Sequence, residues 1–452
     1  MNTYKSNKSI YSPILLPDIK GKSVSIDFNG GSISSDTGVL ILGEVEKQIG
    51  IIRKMEKAIP ESRDLSYVKH TITDLLMQRV IQIASGYDDA NDCNELRKDP
   101  IFKILADRYP ETGEALASQP TMSRFENSIS RTTLYRLAKV FADVFTASYE
   151  REPEVIVLDF DDTENIVHGN QQLSLFNNYF KEYCFMPLHV YEGLSGKLVT
   201  TILKPGKRCN GKQMLSIAKR IISHLRKQWP NTLIVFRGDS HFTYPEVMDW
   251  IDTQENVAFT TGLTSNSRLQ EAIKPLVERA NRMHKESGRE ITLFHSFYYQ
   301  ADSWSQARRV ISKVEVSEKG KNVRFVVTDI EKAKTTVLYK QIYCARGEDE
   351  LYIKDHKLYL KSDRTSCHRF EANQFRIFLH SAAYVLVHTF QKNILRHTQF
   401  ENSTFHTIIT KFFKIGARIR ELKTMIKIEL SSHYPLKNIL RKSFYIFEVL
   451  RE

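Results

Sequence analysis

The sequence is short of cysteine. Its five thiols, Cys93, Cys184, Cys209, Cys344 and Cys367, are odd in number and never spaced as CxxC. That excludes a disulfide framework and a thiolate zinc site and leaves reduced, mostly buried thiols. Long apolar runs are missing as well. The longest uninterrupted stretch, Ala382 to Val387, falls far below the roughly 20 residues of a membrane span. The first apolar patch is cut by Pro13 and Pro17, so no secretory leader is expected and the protein reads as cytoplasmic. Fixed-period repeats and low-complexity tracts are also absent, which sets aside solenoids and collagen-like arrays.

What remains is a folded chain with surplus positive charge. Hydrophobic residues make up 41% of the 452 residues, with 25 Phe and 20 Tyr, enough apolar surface to offset chain entropy over two or three domains. Lys and Arg outnumber Asp and Glu by 65 to 53, so the surface potential favours a polyanion. The excess is concentrated at the end. From residue 380 onward there are 12 Lys and Arg against five Glu and no Asp, a footprint that points to nucleic acid rather than a membrane.

Residues 1–150 read as mainly helical after a short strand pair, Val24 to Phe28 and Gly38 to Leu42. Tyr67 to Ala84 spaces its apolar residues at three and four, as an amphipathic helix does. Ser118, Pro120 and Thr121 open a short polar helix from which Ser123, Arg124 and Asn127 project, ahead of a longer apolar helix. This pair reads as a helix-turn-helix with Arg124 on the DNA-reading element.

From Glu154 strands and helices alternate. Val155 to Phe160 is a buried strand, and Cys184 to Tyr191 with Leu198 to Leu203 form a hairpin around a Gly-rich turn. Gln213 to Lys227 is a helix, Leu233 to Asp239 a strand ending in a carboxylate, and Val257 to Thr261 a further strand. The order suits an α/β fold with a mixed sheet whose first and fourth strands are neighbours. Residues 264–338 interrupt it with a polar helical piece and two strand-like runs, Val310 to Val316 and Val323 to Thr328. The expected division is therefore 1–150, 151–263, a strand-rich insertion 264–338, and 339–452 with a basic helical end.

In VIVLDFDDTE, Asp159 and Asp161 share one face of a strand and Asp162 the other. Carboxylates paired this way repel unless a cation lies between them, which suits magnesium. The string also resembles the DxDxT motif of haloacid-dehalogenase-type phosphatases, in which one Asp attacks phosphorus and the next is the general acid. That motif usually opens its domain and carries Gly where this chain has Asp162. The later paired-acid motif such enzymes need is here the single Asp239.

In QIYCARGEDELYIKDHKLYL, Tyr343, Arg346, Glu350 and Lys357 are three, four and seven residues apart, which predicts one stripe of a helix. One acid among two cations and a phenol suits a metal ligand whose neighbours grip a phosphate backbone. The spacing is complete for the Y-(2)-R-(3)-E-(6)-K signature of bacterial cut-and-paste DDE transposases. The blocks GGSISSDTGVL, QRVIQIASGYDDANDCNELRKDP, LASQPTMSRFEN, LDFDDTE, FRGDSHF and DRTSCHRFEANQFR resemble the insertion-sequence-1380 group in particular, from about residue 22 to 390.

The resemblance implies an RNase H-like catalytic core with an insertion between the second and third acids, preceded by a mainly helical DNA-binding region. It implies an acid triad of Asp239, Glu350 and a first Asp that is either Asp161, favoured by the string Asp161-Asp162-Thr163, or Asp159. Asp161, Asp239 and Glu350 would hold two Mg²⁺ or Mn²⁺ ions, one activating the attacking water or 3′-hydroxyl and the other stabilising the leaving oxyanion. Arg346 and Lys357 would bind DNA phosphate, supported by Tyr343, and Trp304 would stack on a displaced base. His368, Asn373, Gln374 and Arg376 form a polar cluster opening a helix expected to buttress the helix of Glu350.

The function implied is that of a bacterial, nucleoid-associated transposase. It binds the terminal inverted repeats of its own element, cuts and rejoins double-stranded DNA, and works as a homodimer in a synaptic complex. A phosphatase built on Asp159 and Asp161, or a catalytically inactive DNA-binding descendant, are the alternatives.

Overall fold

Strands covered on both faces must be apolar throughout, and the runs VIVL, LIVF and VAF form the centre of one sheet. In the computed structural model, which describes residues 13–449, that sheet has eight strands. In chain order they are β1 (Val155–Asp162), β2 (Leu188–Glu192), β3 (Lys197–Ile202), β4 (Leu233–Gly238), β5 (Val257–Leu263), β6 (Ile291–Tyr299), β7 (Arg308–Ser317) and β8 (Gly320–Thr328). Across the sheet they run β6-β7-β8-β5-β4-β1-β2-β3. The first and fourth strands pair in parallel, as do β4 and β5, and the remaining pairs are antiparallel.

The helices that position the site are α1 (Ile72–Ala84), α2 (Gln119–Ser128), α3 (Arg131–Ala147), α4 (Gly211–Gln228), α5 (Pro245–Ile251) and α6 (Lys274–Ser287). A composite helix α7 covers residues 335–359, and α8 is Phe370–Thr389. Local signals set their starts. Thr71 and Asp74 form a reciprocal capping box on α1, Asn210 and Gln213 another on α4, and Ser130 caps α3, each satisfying amides that the first turn leaves unpaired. Helix α8 is buried on nearly every side. It packs on α1 and on β3, so it joins the N-terminal helices to the sheet.

The sequence expectations fail in four places. Gly38 to Leu42 is not a strand: Thr37–Val39 is a tight helical turn running into a helix at Leu40–Ile49, because a short fully buried apolar run has no periodicity to separate the two forms. The strand Lys22–Ile26 pairs instead with Ile14–Ile19 upstream. Cys184 belongs not to β2 but to a separate three-stranded sheet of Asn165–Ile166, Leu175–Asn177 and Glu182–Phe185; Pro187, which has no amide to donate, separates the two. The insertion contributes three strands, not two, and they extend the main sheet through β8 on β5. Its outermost strand, Ile291–Tyr299, is only half-buried and so lacks the apolar run that marks a central strand. Finally, the basic C-terminal region includes a hairpin, Ala417–Glu421 with Ile426–Leu430, before its helix Lys437–Val449. Ala417 pairs with Ser34, so the chain's end returns to its beginning. Among the described residues no helix is long and apolar enough to cross a membrane.

Candidate active site

The site lies where β1 and β4 end. The two candidate first acids have different surroundings. Asp159 is fully buried, and the Arg237 guanidinium grips both of its oxygens through Nε and Nη2. The two residues are cross-strand neighbours in the parallel pair. Gly193, in the turn between β2 and β3, closes over them; a Cβ there would come within 2.0 Å of Asp159 Oδ2. A buried guanidinium needs such a partner, since an unpaired charge in the core is prohibitively costly. This pair engages both oxygens of Asp159 and keeps them from solvent.

Asp161, one pleat further on the same face, reaches the edge of the site and is 19% exposed. Burial pushes its carboxyl up to about 6; Arg346 opposes this, while Asp239 and Asp162 add to it. Arg346 Nη1 lies 3.4 Å from Asp161 Oδ2. Asp162, on the other face, is held 2.5 Å from Lys204 Nζ. Asp239 ends β4 and caps the turn Ser240–Phe242, accepting from the His241 amide at 2.8 Å and facing His241 Nδ1 at 2.9 Å. Asp239 therefore acts on the Asp161 carboxyl from the end of the adjacent strand.

Helix α7 lies over these ends. Arg237 Nη1 donates to the Ile342 carbonyl, fixing the start of the helix to β4. The Tyr343 hydroxyl sits close above Gly262, 2.7 Å from where a Cβ would project, beside the backbone of Asp239. Burial raises its phenol, with Arg346 opposing and Asp239 adding. Lys357 Nζ binds Thr163 Oγ1 at 3.0 Å and Glu164 Oε1 at 2.8 Å. Tyr343, Arg346 and Lys357 thus all meet the end of β1 or β4.

Glu350 does not join them. It is exposed, and among the described residues it makes no hydrogen bond or ion pair. The reason lies in the helix. Residues Cys344–Glu348 form a tight 3₁₀ segment between wide π turns at Leu338–Tyr343 and Asp355–Tyr359, and three residues per turn rotate the following face away from the stripe that 3.6 would give. Asp349 turns inward instead. It is fully buried, and desolvation together with the nearby Asp159 carboxylate holds its carboxyl far above the usual range.

The other sequence candidates lie elsewhere. Arg124 is exposed on α2 and donates to Thr121 Oγ1 at 3.2 Å, while Glu126 on the inner face of α2 is buried against Arg79. Trp304 is 6% exposed and packs edge-on against Tyr299, so its indole presents no free face to a base. His368 Nδ1 meets the Asn170 carbonyl at 2.8 Å. Asn373 bonds both the amide and the carbonyl of Cys367. Gln374 accepts from the Leu203 amide and donates to the Thr201 carbonyl, and Arg376 donates to Ser366 Oγ. This block fastens α8 to the edge strand and to the loop beside Lys357. The helix also reaches α7 directly, through Ser381 and His356.

Arg237 and Asp349 went unassigned in the sequence. A signal existed for the first: an arginine inside the run LIVFRGD must have a buried partner. None existed for the second.

Two hard carboxylates at neighbouring strand ends, one of them raised by burial and by the other's charge, are a donor set that fits a divalent cation. A complete three-group site is not assembled: among the described residues no three His, Cys, Asp or Glu side chains cluster as metal ligands.

Residues 16–451 match the family described as transposase DDE domain group 1. The chain belongs to that family, whose members are DNA-cutting enzymes that normally use a divalent metal. No curated protein matches the chain. Among solved structures, the chain is similar to the piggyBac transposase synaptic complex with hairpin DNA at 11% identity and a TM-score of 0.44, over 83% of this chain and 80% of that one.

Proposed function

We propose that the protein is the transposase of a bacterial insertion sequence of the insertion-sequence-1380 type. In this reading it binds the terminal inverted repeats of its element, cuts the DNA strands there and transfers the 3′ ends to target DNA. The observation that carries the reading is the placement of Asp161 and Asp239 at the ends of adjacent parallel strands, under a helix that brings Arg346 and Lys357 to the same edge. The strand order of β1 to β5, three antiparallel strands followed by two parallel ones on the other side of β1, supports an RNase H-like core. Residues 264–338 are then its insertion and residues 1–150 its DNA-binding region.

Asp161, Asp239 and Glu350 would hold two Mg²⁺ or Mn²⁺ ions, which when bound supply Lewis-acid activation of the attacking oxygen and charge stabilisation of the leaving one. The chain's own groups do the rest. Arg346 and Lys357 neutralise phosphate charge beside the scissile bond and fix its orientation, and Tyr343 supports Arg346 from above Asp239. The reaction is an in-line displacement at phosphorus by water or a 3′-hydroxyl, with no covalent enzyme intermediate. Two copies would act together in a synaptic complex. For Glu350 to join the two aspartates in this reading, α7 would have to rotate around its tight segment, since the side chain is exposed in the structure.

The test is cleavage of end-labelled DNA bearing the element's own termini, with Mg²⁺ or Mn²⁺, by the wild type, Asp161→Ala, Asp239→Ala and Glu350→Ala. Cation-dependent nicking lost in all three, with DNA binding retained, supports the reading and the triad. Nicking retained in Glu350→Ala removes that residue from it. A folded wild type that binds these ends without cutting them is a binding-only descendant, and hydrolysis of p-nitrophenyl phosphate that depends on Asp159 would replace the reading with a phosphatase.

A further inference from the structure

Helices α3 and α4 run side by side in the same direction. Arg220 faces the Tyr135 ring, His224 Nε2 meets Asp143 Oδ1 at 2.7 Å, and Trp229 packs edge-on against Phe145. Between the two helices lies a groove of about 620 Å³, floored by the outer strand β3 and closed by the start of α8. It lies over β3, two strands away from Asp161 on β1. The floor is apolar, made by Leu134, Ala138, Val199, Ile202, Ile217 and Phe378. The rim is cationic. Arg131, Lys139, Lys219, Arg220 and Lys227 line it, and all five are exposed. The acid on this lining, Glu371, lies 3.6 Å from Arg131 and 3.9 Å from Arg369. Lys139, Lys219, Arg220 and Lys227 have no carboxylate partner among the described residues; Lys139 and Arg220 lean on the Tyr135 ring and Lys219 on Trp250.

Unpaired cations around an apolar trough define the chemistry of its occupant. Duplex DNA would use the cations but has no apolar face to cover the trough, and an uncharged apolar chain would cover the trough but leave the cations unused. An extended peptide does not fit either. Gln374 already takes the Leu203 amide and the Thr201 carbonyl of β3, which blocks the addition of a further strand there. A helix needs no free strand edge. The lining follows α3 from Arg131 to Ala142, about 17 Å of helix axis and room for about three turns of another helix. We infer that this groove receives an acidic amphipathic helix of a partner protein, its apolar stripe on the floor between α3 and α4 and its carboxylates on Lys139, Lys219, Arg220 and Lys227. The surface uses none of the strand-end residues, so the inference goes beyond the transposase reading and does not depend on it.

The experiment titrates the full-length protein into a fluorescein-labelled helical peptide of about 14 residues, with Leu at i, i+3, i+4 and i+7 and Glu on both flanks. Two control peptides are used, one with the same residues but its leucines spread around the helix and one with Lys in place of every Glu. Anisotropy is expected to show the first peptide bound about tenfold more tightly than either control. The exposed double change Lys219→Glu with Lys227→Glu is expected to weaken it about tenfold, and Ala138→Trp, which fills the floor, to abolish it. Both variants are expected to bind duplex DNA as the wild type does. Equal binding of the three peptides, or undiminished binding by the charge-reversed variant, overturns the inference. Loss of DNA affinity in that variant would instead make the rim a DNA contact, and loss of self-association would make it an interface between copies of this chain; either result overturns the inference. So does laurate that displaces the first peptide while the peptides themselves bind alike, which would make the groove a small-ligand site. Because the charge changes lie on the exposed face of α4, they decide the matter even if Ala138→Trp fails to fold.

Discussion

Arg237 and Asp159 form a two-pronged ion pair across the parallel strands β4 and β1, at 1% and 0% side-chain exposure. The third guanidinium nitrogen holds the Ile342 carbonyl at the start of α7. One side chain therefore fixes two strands and the helix above them to one another, and sets the height of Tyr343 and Arg346 over the strand ends.

Removing either partner leaves a buried charge. Arg237→Ala and Asp159→Ala are each expected to cost about 3–5 kcal/mol, whereas the double change Asp159→Leu with Arg237→Met recovers most of that. Urea unfolding of the three variants measures it. Equal losses in the single and double variants would mean that the pair is not what the fold depends on.

Glu46 provides a pH test away from the site. Its carboxylate accepts the amides of Ile52 and Arg53 at the start of a helix, yet burial pushes it from 4.5 up to about 7. Between those values the folded state binds the extra proton, so its contribution falls as pH rises from about 4.5 to about 7. Glu46→Gln keeps an acceptor and removes the titration. It should match the wild type near pH 4 and exceed it at pH 8, by on the order of 3 kcal/mol. A difference that does not change with pH, measured by denaturant midpoints, would contradict this.

Under the proposed function Lys357 binds phosphate rather than bases. Lys357→Ala should weaken binding to all DNA sequences alike and reduce the slope of log affinity against log salt by about 1. A sequence-dependent loss at constant slope would reassign it to base reading.

Gln374 is a pure fastening. Gln374→Ala leaves the Leu203 amide and the Thr201 carbonyl at the sheet edge without their partner, an expected loss of about 1–3 kcal/mol. Thermal unfolding reads it directly, and a variant as stable as the wild type would show that water takes the place of the amide.

The centre of the fold was legible because its strands are continuous apolar runs bounded by turns, and Asp161 and Asp239 stand out where those runs stop. What was not legible depends on long-range packing. The edge strand Ile291–Tyr299 has no apolar run to announce it. The run Gly38 to Leu42 is equally a strand or a helix until its surroundings decide. The stripe through Tyr343, Arg346, Glu350 and Lys357 assumed uniform turns, and the tight segment at Cys344–Glu348 exposes Glu350 and buries Asp349. Asp159 and Asp161 are indistinguishable as residues on one strand face; only Arg237, reached from another strand, separates them.

The order in which the chain is made gives the sheet a further meaning. Both strand-end aspartates are synthesised by residue 239, but β5 has an open edge until β8 arrives at Gly320–Thr328. The cationic groups of α7 follow, and α8, which fastens the edge strand, comes only after residue 370. Pairings this distant in sequence form late in folding. A fragment released before Gly320 thus carries Asp161 and Asp239 beside an open strand edge, with neither Arg346 nor Lys357 over them.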